Sequence, residues 1–178
     1  MAEYRGRPRN TRRQRVTLDS FDRKILDVLQ RNGRMSNAKI ALEVGLSESA
    51  CFNRLKKLEK QEVITQYRAV INQSIIAPHI MVYAHVVLES QKYAAYSKFE
   101  QIIAKVSEIT RCELVSGQFD YILTVIASDM DDYTRVMEWV MAEHGAMSHY
   151  FSYIVMRSTK DEPVLASYLA TGIKAEER

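Results

Sequence analysis

The sequence has few or none of the features that mark secreted and membrane proteins. It contains only 2 cysteines, Cys51 and Cys112, and each lies inside an apolar pattern. Free buried thiols in a reducing cytoplasm therefore fit better than a disulfide. No run of about 18 apolar residues occurs, which argues against a membrane-spanning helix. The arginine-rich N-terminus is not followed by an apolar stretch, so we expect no secretory signal.

The sequence also lacks the motifs of metal sites and of enzyme active sites. Its 4 histidines show no metal-binding spacing, and neither CxxC nor HExxH occurs. There is no GxSxG motif, no phosphate-binding loop and no pair of catalytic carboxylates. These absences predict a protein that is not an enzyme and that has no catalytic residue, metal or cofactor.

Charge is divided unevenly along the chain. Residues 1–72 contain 16 Lys and Arg and 8 Asp and Glu, a net charge of +8, whereas residues 73–178 contain 9 and 14, a net charge of −5. Chance surface variation explains so large a difference poorly. We therefore predict two modules with different partners, of which the basic one suits a polyanion.

The first residues read as a basic arm. Residues 1–16 contain almost nothing apolar, so we predict a disordered arm over residues 1–17. Such an arm can enter the minor groove of double-stranded DNA or lie along its phosphates. A solubilising tail is the alternative. The arginines of the arm are Arg5, Arg7, Arg9, Arg12, Arg13 and Arg15. We predict that the last three contact DNA.

Two short helices joined by a glycine turn are predicted over residues 36–59. Ser36 and Ser47 can each cap a helix through a side-chain hydroxyl. Gly45 lies where a helix ends in a left-handed residue, a conformation that glycine adopts at low cost. Helix, glycine turn and basic helix is the order of a helix-turn-helix motif.

The second helix of this pair has an inward and an outward face. Its apolar residues Cys51, Leu55 and Leu58 recur at helical spacing and predict the buried stripe. The outward residues are small, amide or basic, which suits base edges and phosphates. The predicted base contacts are Ser47, Ser49, Ala50, Asn53 and Arg54, with Lys57 on a phosphate.

A further helix and a strand complete the predicted DNA-binding domain, which spans residues 18–70. The helix runs from about Asp19 to Arg31, with Asp19 as its cap. The segment Val63–Val70 is rich in strand-forming residues and predicts a wing or a bridging strand. Residues 71–79 read as a linker.

The second half alternates strands and helices in the order βαββαβ. The strands are predicted over residues 80–89, 109–116, 120–127 and 147–157, and the helices over residues 93–106 and 131–144. This order predicts a ferredoxin-like domain over residues 80–160, and so an α+β protein. Residues 161–178 form a C-terminal extension, in which Val164, Leu165, Tyr168 and Leu169 suit a short helix of unassigned role.

Three of these strands do not alternate between apolar and polar residues. An antiparallel sheet that is covered on one side should alternate. Residues 80–88, 121–127 and 150–156 are apolar at most positions, so both faces of the sheet look buried. Two helices can cover only one face. We therefore predict that the other face meets the sheet of a second subunit in a homodimer.

The turn Ser116–Asp120 between two strands is a candidate ligand site. Gly117 permits a tight turn with open N–H groups, which can bind a carboxylate, and Asp120 can pair with an ammonium. Both suit a free amino acid. Spacing alone favours an ordinary hairpin turn over a ligand site. The candidate effector-binding residues are Ser116, Gly117, Gln118, Phe119 and Asp120, with Ser152 as a weaker candidate.

The chain resembles the Lrp/AsnC, or feast/famine, family of bacterial and archaeal transcription regulators. The resemblance runs from about Leu18 to Lys160. It rests on the segments LDSFDRKILDVLQRNGR from Leu18, VGLS from Val44, RLKKLEK from Arg54 and LVSGQFDY from Leu114. The family often has Ser-Pro-Thr-Pro-Cys at the start of its recognition helix, where this chain has Ser47-Glu-Ser-Ala-Cys51. Its operator sequence therefore cannot be taken over from other members.

The resemblance implies a function as well as a fold. It implies a helix-turn-helix joined to a ferredoxin-like effector domain, with amino acids bound at the turn Ser116–Asp120. It also implies dimers that assemble into tetramers or octamers, and a cytoplasmic, nucleoid-associated protein with no membrane partner. We expect an amino-acid-responsive transcription regulator. The alternatives are an architectural DNA-coating protein that senses no ligand and a sensing module that regulates another protein.

Overall fold

The chain folds as two compact units. The structure, a computed structural model, describes residues 16–145, 147–166 and 168. Among these, residues 72–159 form one unit, which we call the sheet unit. Residues 16–71 form the other, the helical unit, together with residues 160–166 and Tyr168. The described part of the predicted C-terminal extension, residues 161–166 and 168, thus groups with the helical unit.

Three helices form the helical unit: α1 (Ser20–Arg31), α2 (Asn37–Val44) and α3 (Glu48–Lys60). Each helix is preceded by a residue whose side chain accepts a backbone N–H of the first turn. These caps are Asp19, Ser36 and Ser47, as predicted. The apolar stripes of the three helices meet in one core, whose buried members are Ile25, Leu26, Val28, Ile40, Ala41, Val44, Cys51 and Leu58.

The segment after α3 differs from the prediction. No strand forms over Val63–Val70, because no other strand of the described chain lies beside it to share hydrogen bonds. Val63 and Ile64 pack on the helical core, whereas the Val70 side chain is 98% exposed. The predicted linker contains a short helix, α4 (Gln73–Ile76), which the sequence reasoning did not expect.

The sheet unit has the predicted order of elements. These are β1 (Ile80–Leu88), α5 (Tyr93–Ile103), β2 (Ile109–Leu114), β3 (Tyr121–Ala127), α6 (Met130–His144) and β4 (Met147–Ile154). The 4 strands lie in the order β2-β3-β1-β4, and every neighbouring pair is antiparallel. This is the ferredoxin-like arrangement, so the α+β fold prediction is confirmed.

The two faces of the sheet differ in burial. Val82, Ala84 and Val86 of β1 are fully buried, and they pack in one core with Phe99 of α5 and Met137 of α6. Several large residues on the opposite face, which we call the open face, are only partly covered. Tyr83, Phe151 and Tyr153 there are 41%, 47% and 49% exposed. In the single chain, therefore, only the helix-covered face is buried. The predicted burial of the open face needs a second subunit.

No helix among the described residues has the length and apolar character needed to cross a membrane.

Candidate functional site

The turn between α2 and α3 is held by capping bonds. Gly45 has a left-handed φ of +75°, and the Leu46 N–H donates to the Ala41 carbonyl at 2.8 Å. The Asn37 side-chain amide donates to the Glu48 carbonyl at 2.9 Å, which ties the start of α2 to the start of α3. These bonds fix the two helices relative to each other, as a helix-turn-helix requires for reading DNA.

One face of α3 is exposed and carries hydroxyl, amide and basic groups. Ser49, Asn53 and Lys57 lie one helical turn apart and are all exposed, so they share this face. Ala50 is half-buried. The Ser47 hydroxyl caps α3 and lies 3.3 Å from the Ser49 hydroxyl. The structure thus brings together every predicted contact on this helix except Arg54.

Phe52 and Lys56 also lie on the exposed side of α3, and the sequence reasoning missed both. The Phe52 side chain is 50% exposed, and the Lys56 ammonium lies 5.6 Å from its ring centroid. An exposed aromatic ring on a recognition helix can contact a thymine methyl group. The sequence could have indicated the exposure of Phe52, because its position in the helix does not match the spacing of the buried residues Cys51 and Leu58.

Arg54 does not lie on the outward face, so its predicted orientation is wrong. Its Nη1 donates to Asp19 Oδ2 at 2.6 Å and to Asp22 Oδ1 at 2.7 Å. Its guanidinium also lies 5.5 Å from the ring centroid of Phe21. Asp22 is 2% exposed, which makes a paired cation there necessary. Arg54 therefore joins α3 to the start of α1.

The carboxylates beside Arg54 also form the capping box of α1. Asp19 Oδ1 accepts the Asp22 N–H at 2.9 Å, and Asp22 Oδ2 accepts the Asp19 N–H at 3.3 Å. The bond from the Asp22 N–H and the Arg54 guanidinium lower the pKa of Asp19 below its ordinary value. The two carboxylates raise the pKa of Arg54 in return. Asp19 and Arg54 are thus held fully charged at neutral pH.

The basic arm falls largely outside the described residues. The structure does not describe the three arginines of the arm that are predicted to contact DNA, which are Arg12, Arg13 and Arg15. Val16 is the first residue that the structure describes.

The candidate ligand turn joins β2 to β3. The Val115 N–H donates to the Asp120 carbonyl at 2.9 Å and closes the turn. Ser116, Gly117 and Gln118 are exposed. Gly117 has a φ of +137°, a conformation that other residues rarely adopt, and a Cβ built there meets no atom within 4 Å. The glycine is therefore needed for its backbone conformation, and the space beside it is open.

Asp120 lies on the inner side of this turn and is 7% exposed. Its Oδ2 accepts the Leu88 N–H at 2.8 Å, and its Oδ1 accepts the Tyr96 hydroxyl at 2.9 Å. Both carboxylate oxygens already have partners that hold β1 and α5 to the turn. Asp120 therefore positions the turn, and its predicted role as an ammonium partner stays a prediction.

Phe119 and Ser152, two further candidates, belong to opposite faces of the sheet. The Phe119 ring lies 4.6 Å from the His85 ring and 5.8 Å from the Phe151 ring, on the open face. Ser152 pairs with Ala84, a residue of the helix-covered face, and its hydroxyl lies 2.6 Å from that of Tyr133. The sheet therefore separates Ser152 from the aromatic side of the turn.

The thiols and histidines of the described residues offer no reactive or metal-binding site. Both cysteines are free, as predicted. Burial raises the pKa of Cys51 and raises that of Cys112 to about 12, so both thiols stay protonated. No group of at least 3 metal-ligating side chains occurs in the part of the chain that the structure describes.

Two family models match the chain. Residues 18–59 match the AsnC-type helix-turn-helix domain, and residues 81–165 match the Lrp/AsnC ligand binding domain. The first match covers nearly all of α1 to α3, and the second covers nearly all of the sheet unit.

Curated proteins are similar over most of the chain. The leucine-responsive regulatory protein of Haemophilus influenzae is 37% identical, and the match covers 80% of this chain and 86% of that protein. The proline dehydrogenase transcriptional activator of Rhizobium radiobacter is 35% identical, over 81% of this chain and 92% of the relative.

Solved structures are similar in fold. A transcriptional regulator of Neisseria meningitidis, solved as a complex with L-Met, matches with a TM-score of 0.77 and 29% identity, over 82% of this chain and 94% of that one. An AsnC family transcriptional regulator from Agrobacterium tumefaciens matches with a TM-score of 0.78 and 26% identity, over 83% and 96%.

Proposed function

We propose a detailed function from one premise: the chain belongs to the Lrp/AsnC family of transcription regulators. It is accordingly a DNA-binding regulator with a ligand-binding domain. In our proposal, α3 reads double-stranded DNA and an amino acid bound in the sheet unit controls that reading. The observation that carries the proposal is the exposed polar face of α3, on a helix pair whose turn is fixed by caps.

The proposed DNA contact places α3 in the major groove. Asn53 suits adenine, because its amide can donate and accept at once, and Lys57 suits a phosphate. Ser47, Ser49 and Ala50 lie at the N-terminal end of the helix, the end that enters the groove first in this motif. Arg12, Arg13 and Arg15 of the arm add contacts to the minor groove or the phosphates.

The proposed effector is a free amino acid bound at the turn over residues 116–119. The open backbone at Gly117 suits a carboxylate, and the Phe119 ring offers an apolar contact for a side chain. The L-Met complex of the Neisseria relative supports this class of ligand. Asp120 holds the turn in place through Leu88 and Tyr96.

The proposed assembly is a homodimer through the open face. This face exposes Tyr83, Phe151 and Tyr153 beside one another on paired strands, an apolar surface that a second sheet would cover. Dimers then associate into tetramers or octamers. The effector acts by binding one assembly more tightly than another. A ligand shifts an equilibrium between two states only if it binds one of them more tightly than the other.

This regulator works, in our proposal, in the cytoplasm of a bacterium or archaeon and in association with the nucleoid. The architectural alternative, in which the protein coats DNA without sensing a ligand, is disfavoured by the match of the sheet unit to a ligand binding domain.

Paired affinity measurements on α3 variants test the DNA-reading proposal. A DNA site is first selected from random sequences with the wild-type protein. Asn53→Ala should then weaken binding to that site by about 1–3 kcal/mol and leave binding to random DNA nearly unchanged. Lys57→Ala should weaken both alike. Glu43→Ala, at an exposed position of α2, is the matched control. Equal losses on both DNAs for Asn53→Ala would contradict base reading by this face.

A further inference from the structure

A groove with basic and apolar walls lies in the helical unit. It has a volume of about 1460 Å³, and its walls come mainly from α1, the residues just before that helix and the segment over residues 63–70. Among the described residues that line it, none is acidic and three are arginines, namely Arg31, Arg34 and Arg68. A cleft of one charge with apolar walls concentrates the electric field, so this groove attracts an anionic partner.

Tyr67 holds two of these arginines near each other. Its hydroxyl donates to Glu59 Oε1 of α3 at 3.1 Å, and a Cβ built at Gly33 would lie only 3.9 Å from Tyr67 Cδ1. The Tyr67 ring therefore packs on the turn that follows α1. Arg34 comes directly after Gly33, and Arg68 comes directly after Tyr67. The two arginines thus belong to backbone segments that are in contact.

The charges of Arg34 and Arg68 are not neutralised by a carboxylate of the described residues. Both arginines are exposed, and neither forms an ion pair with another residue that the structure describes. A guanidinium whose N–H groups are free can bind a phosphate through two parallel hydrogen bonds. The groove therefore offers two such donors side by side.

The groove is flanked by both segments that the proposed function assigns to DNA. Arg34 lies three residues before Asn37, whose side-chain amide donates to the Glu48 carbonyl at the start of α3. Three residues span at most about 11 Å, so Arg34 lies close to the end of α3 that enters the major groove. Val16, to which the arginine-rich arm is joined, also lines the groove.

We propose that this groove is a second site for the DNA backbone, in which Arg34 and Arg68 bind phosphates beside the base pairs that α3 reads. The inference rests on the proposed function, because α3 has to place the duplex next to the groove. Residues 1–72 carry 16 basic and 8 acidic side chains, an excess that a long polyanion can use in full and a short acidic peptide cannot. The site responds to charge and not to sequence, since phosphates are alike at every base pair.

Three double variants isolate the two charges. Arg34→Ala/Arg68→Ala removes both of them and leaves α3 unchanged, and folding should be unaffected because both positions are exposed. Arg34→Lys/Arg68→Lys keeps the charges on different side chains. Lys92→Ala/Lys105→Ala removes two exposed charges from the sheet unit and is the matched control.

The salt dependence of DNA binding by the full-length protein tests the proposal. The binding constant is measured over a range of salt concentrations for the selected site and for random DNA. In Arg34→Ala/Arg68→Ala, the plot of log binding constant against log salt concentration should be less steep by about 1.8 on both DNAs, because each lost phosphate contact reduces the slope by about 0.9. The lysine variant should keep nearly the wild-type slope, and the control should match wild type.

Two results would overturn this proposal alone. If Arg34→Ala/Arg68→Ala binds both DNAs with the wild-type slope, the groove holds no phosphate, and reading by α3 still stands if Asn53→Ala weakens binding to the selected site only. If the wild-type slope is accompanied by slower sedimentation, the two arginines hold a second copy of the chain. If the wild-type protein binds neither DNA, the proposed function and this inference fail together.

Discussion

The substitution Arg54→Ala separates two accounts of the recognition helix. The sequence places Arg54 among the base-contacting residues, whereas the structure places its guanidinium on Asp19 and Asp22. The variant should therefore destabilise the helical unit. Its effect on DNA binding should come through the position of α3, and the loss on specific and on random DNA should be similar.

The magnitude depends on the burial of the partners. The Asp19 side chain is 51% exposed, so its ion pair with Arg54 contributes little to the free energy of unfolding. Asp22 is 2% exposed, and without Arg54 its carboxylate keeps only the Asp19 N–H at 3.3 Å. A hydrogen bond to a charged group contributes about 1.5–3 kcal/mol, so we expect a loss of about 2 kcal/mol in the free energy of unfolding.

The assay must follow the helical unit alone, because a chain of two units need not unfold in one step. Trp139, the single tryptophan, lies in α6 and reports on the sheet unit. Urea unfolding followed by tryptophan fluorescence should therefore be unchanged in Arg54→Ala. Amide exchange of α1 and α3 should accelerate by a factor of about 30, which corresponds to 2 kcal/mol. Lys57→Ala is the control, since Lys57 is exposed on the same helix.

The same variant should change how the stability of the helical unit falls in acid. The pKa of Asp19 is lowered in the folded chain, so its stabilisation is present above the ordinary value of 3.8 and is lost as the pH falls through the lowered value. Arg54 is one cause of this lowering, so Arg54→Ala should lose less stability over that acid range than wild type. If Arg54→Ala unfolds as wild type does and loses affinity only for the specific site, the guanidinium contacts a base and our reasoning fails.

Four further outcomes are expected from the structure. Deleting residues 1–16 should make the plot of log binding constant against log salt concentration less steep, by roughly 0.9 in slope for each lost phosphate contact. An unchanged slope would show that the arm does not touch DNA. Val125→Asp should prevent folding of the sheet unit, because Val125 is fully buried, and circular dichroism would detect this. Phe151→Asp, at a position that is 47% exposed, should leave the fold intact and shift sedimentation towards the monomer. Neither Cys51, which is buried, nor Cys112, which is half-buried, should react with iodoacetamide at pH 8 until denaturant is added, and rapid labelling of the native protein would contradict the raised pKa of these thiols.

Local signals predicted most of the fold correctly. Asp19, Ser36 and Ser47 cap helices where the sequence placed them, because capping needs only a side-chain oxygen and the next turn of backbone. Gly45 ends α2 in the left-handed conformation that the sequence indicated. The order of strands and helices after residue 79 also reflects local periodicity.

The errors concern contacts between segments that are distant in sequence. Arg54 lies 32 residues from Asp22, and helical spacing alone does not reveal that a buried carboxylate attracts its side chain inward. Val63–Val70 has strand-forming residues, but a strand also needs a partner to accept its hydrogen bonds.

The ligand turn shows the same limit. The SGQFD segment correctly predicts a turn, and Gly117 has the conformation that the turn needs. The partners of Asp120, Leu88 and Tyr96, come from another strand and from a helix. Sequence reasoning could not foresee these two contacts, and the predicted ligand-binding role of Asp120 stays a prediction.

Titration of DNA binding with amino acids tests the central proposal most directly. The affinity of the full-length protein for its selected DNA site is measured by fluorescence anisotropy with each standard amino acid in turn. We predict that at least one of them changes the affinity by about 5- to 150-fold, and that Gln118→Ala, on the exposed turn, needs more of the same ligand for the same change. If no amino acid changes the affinity of the wild-type protein, the proposal of an amino-acid-responsive regulator is contradicted.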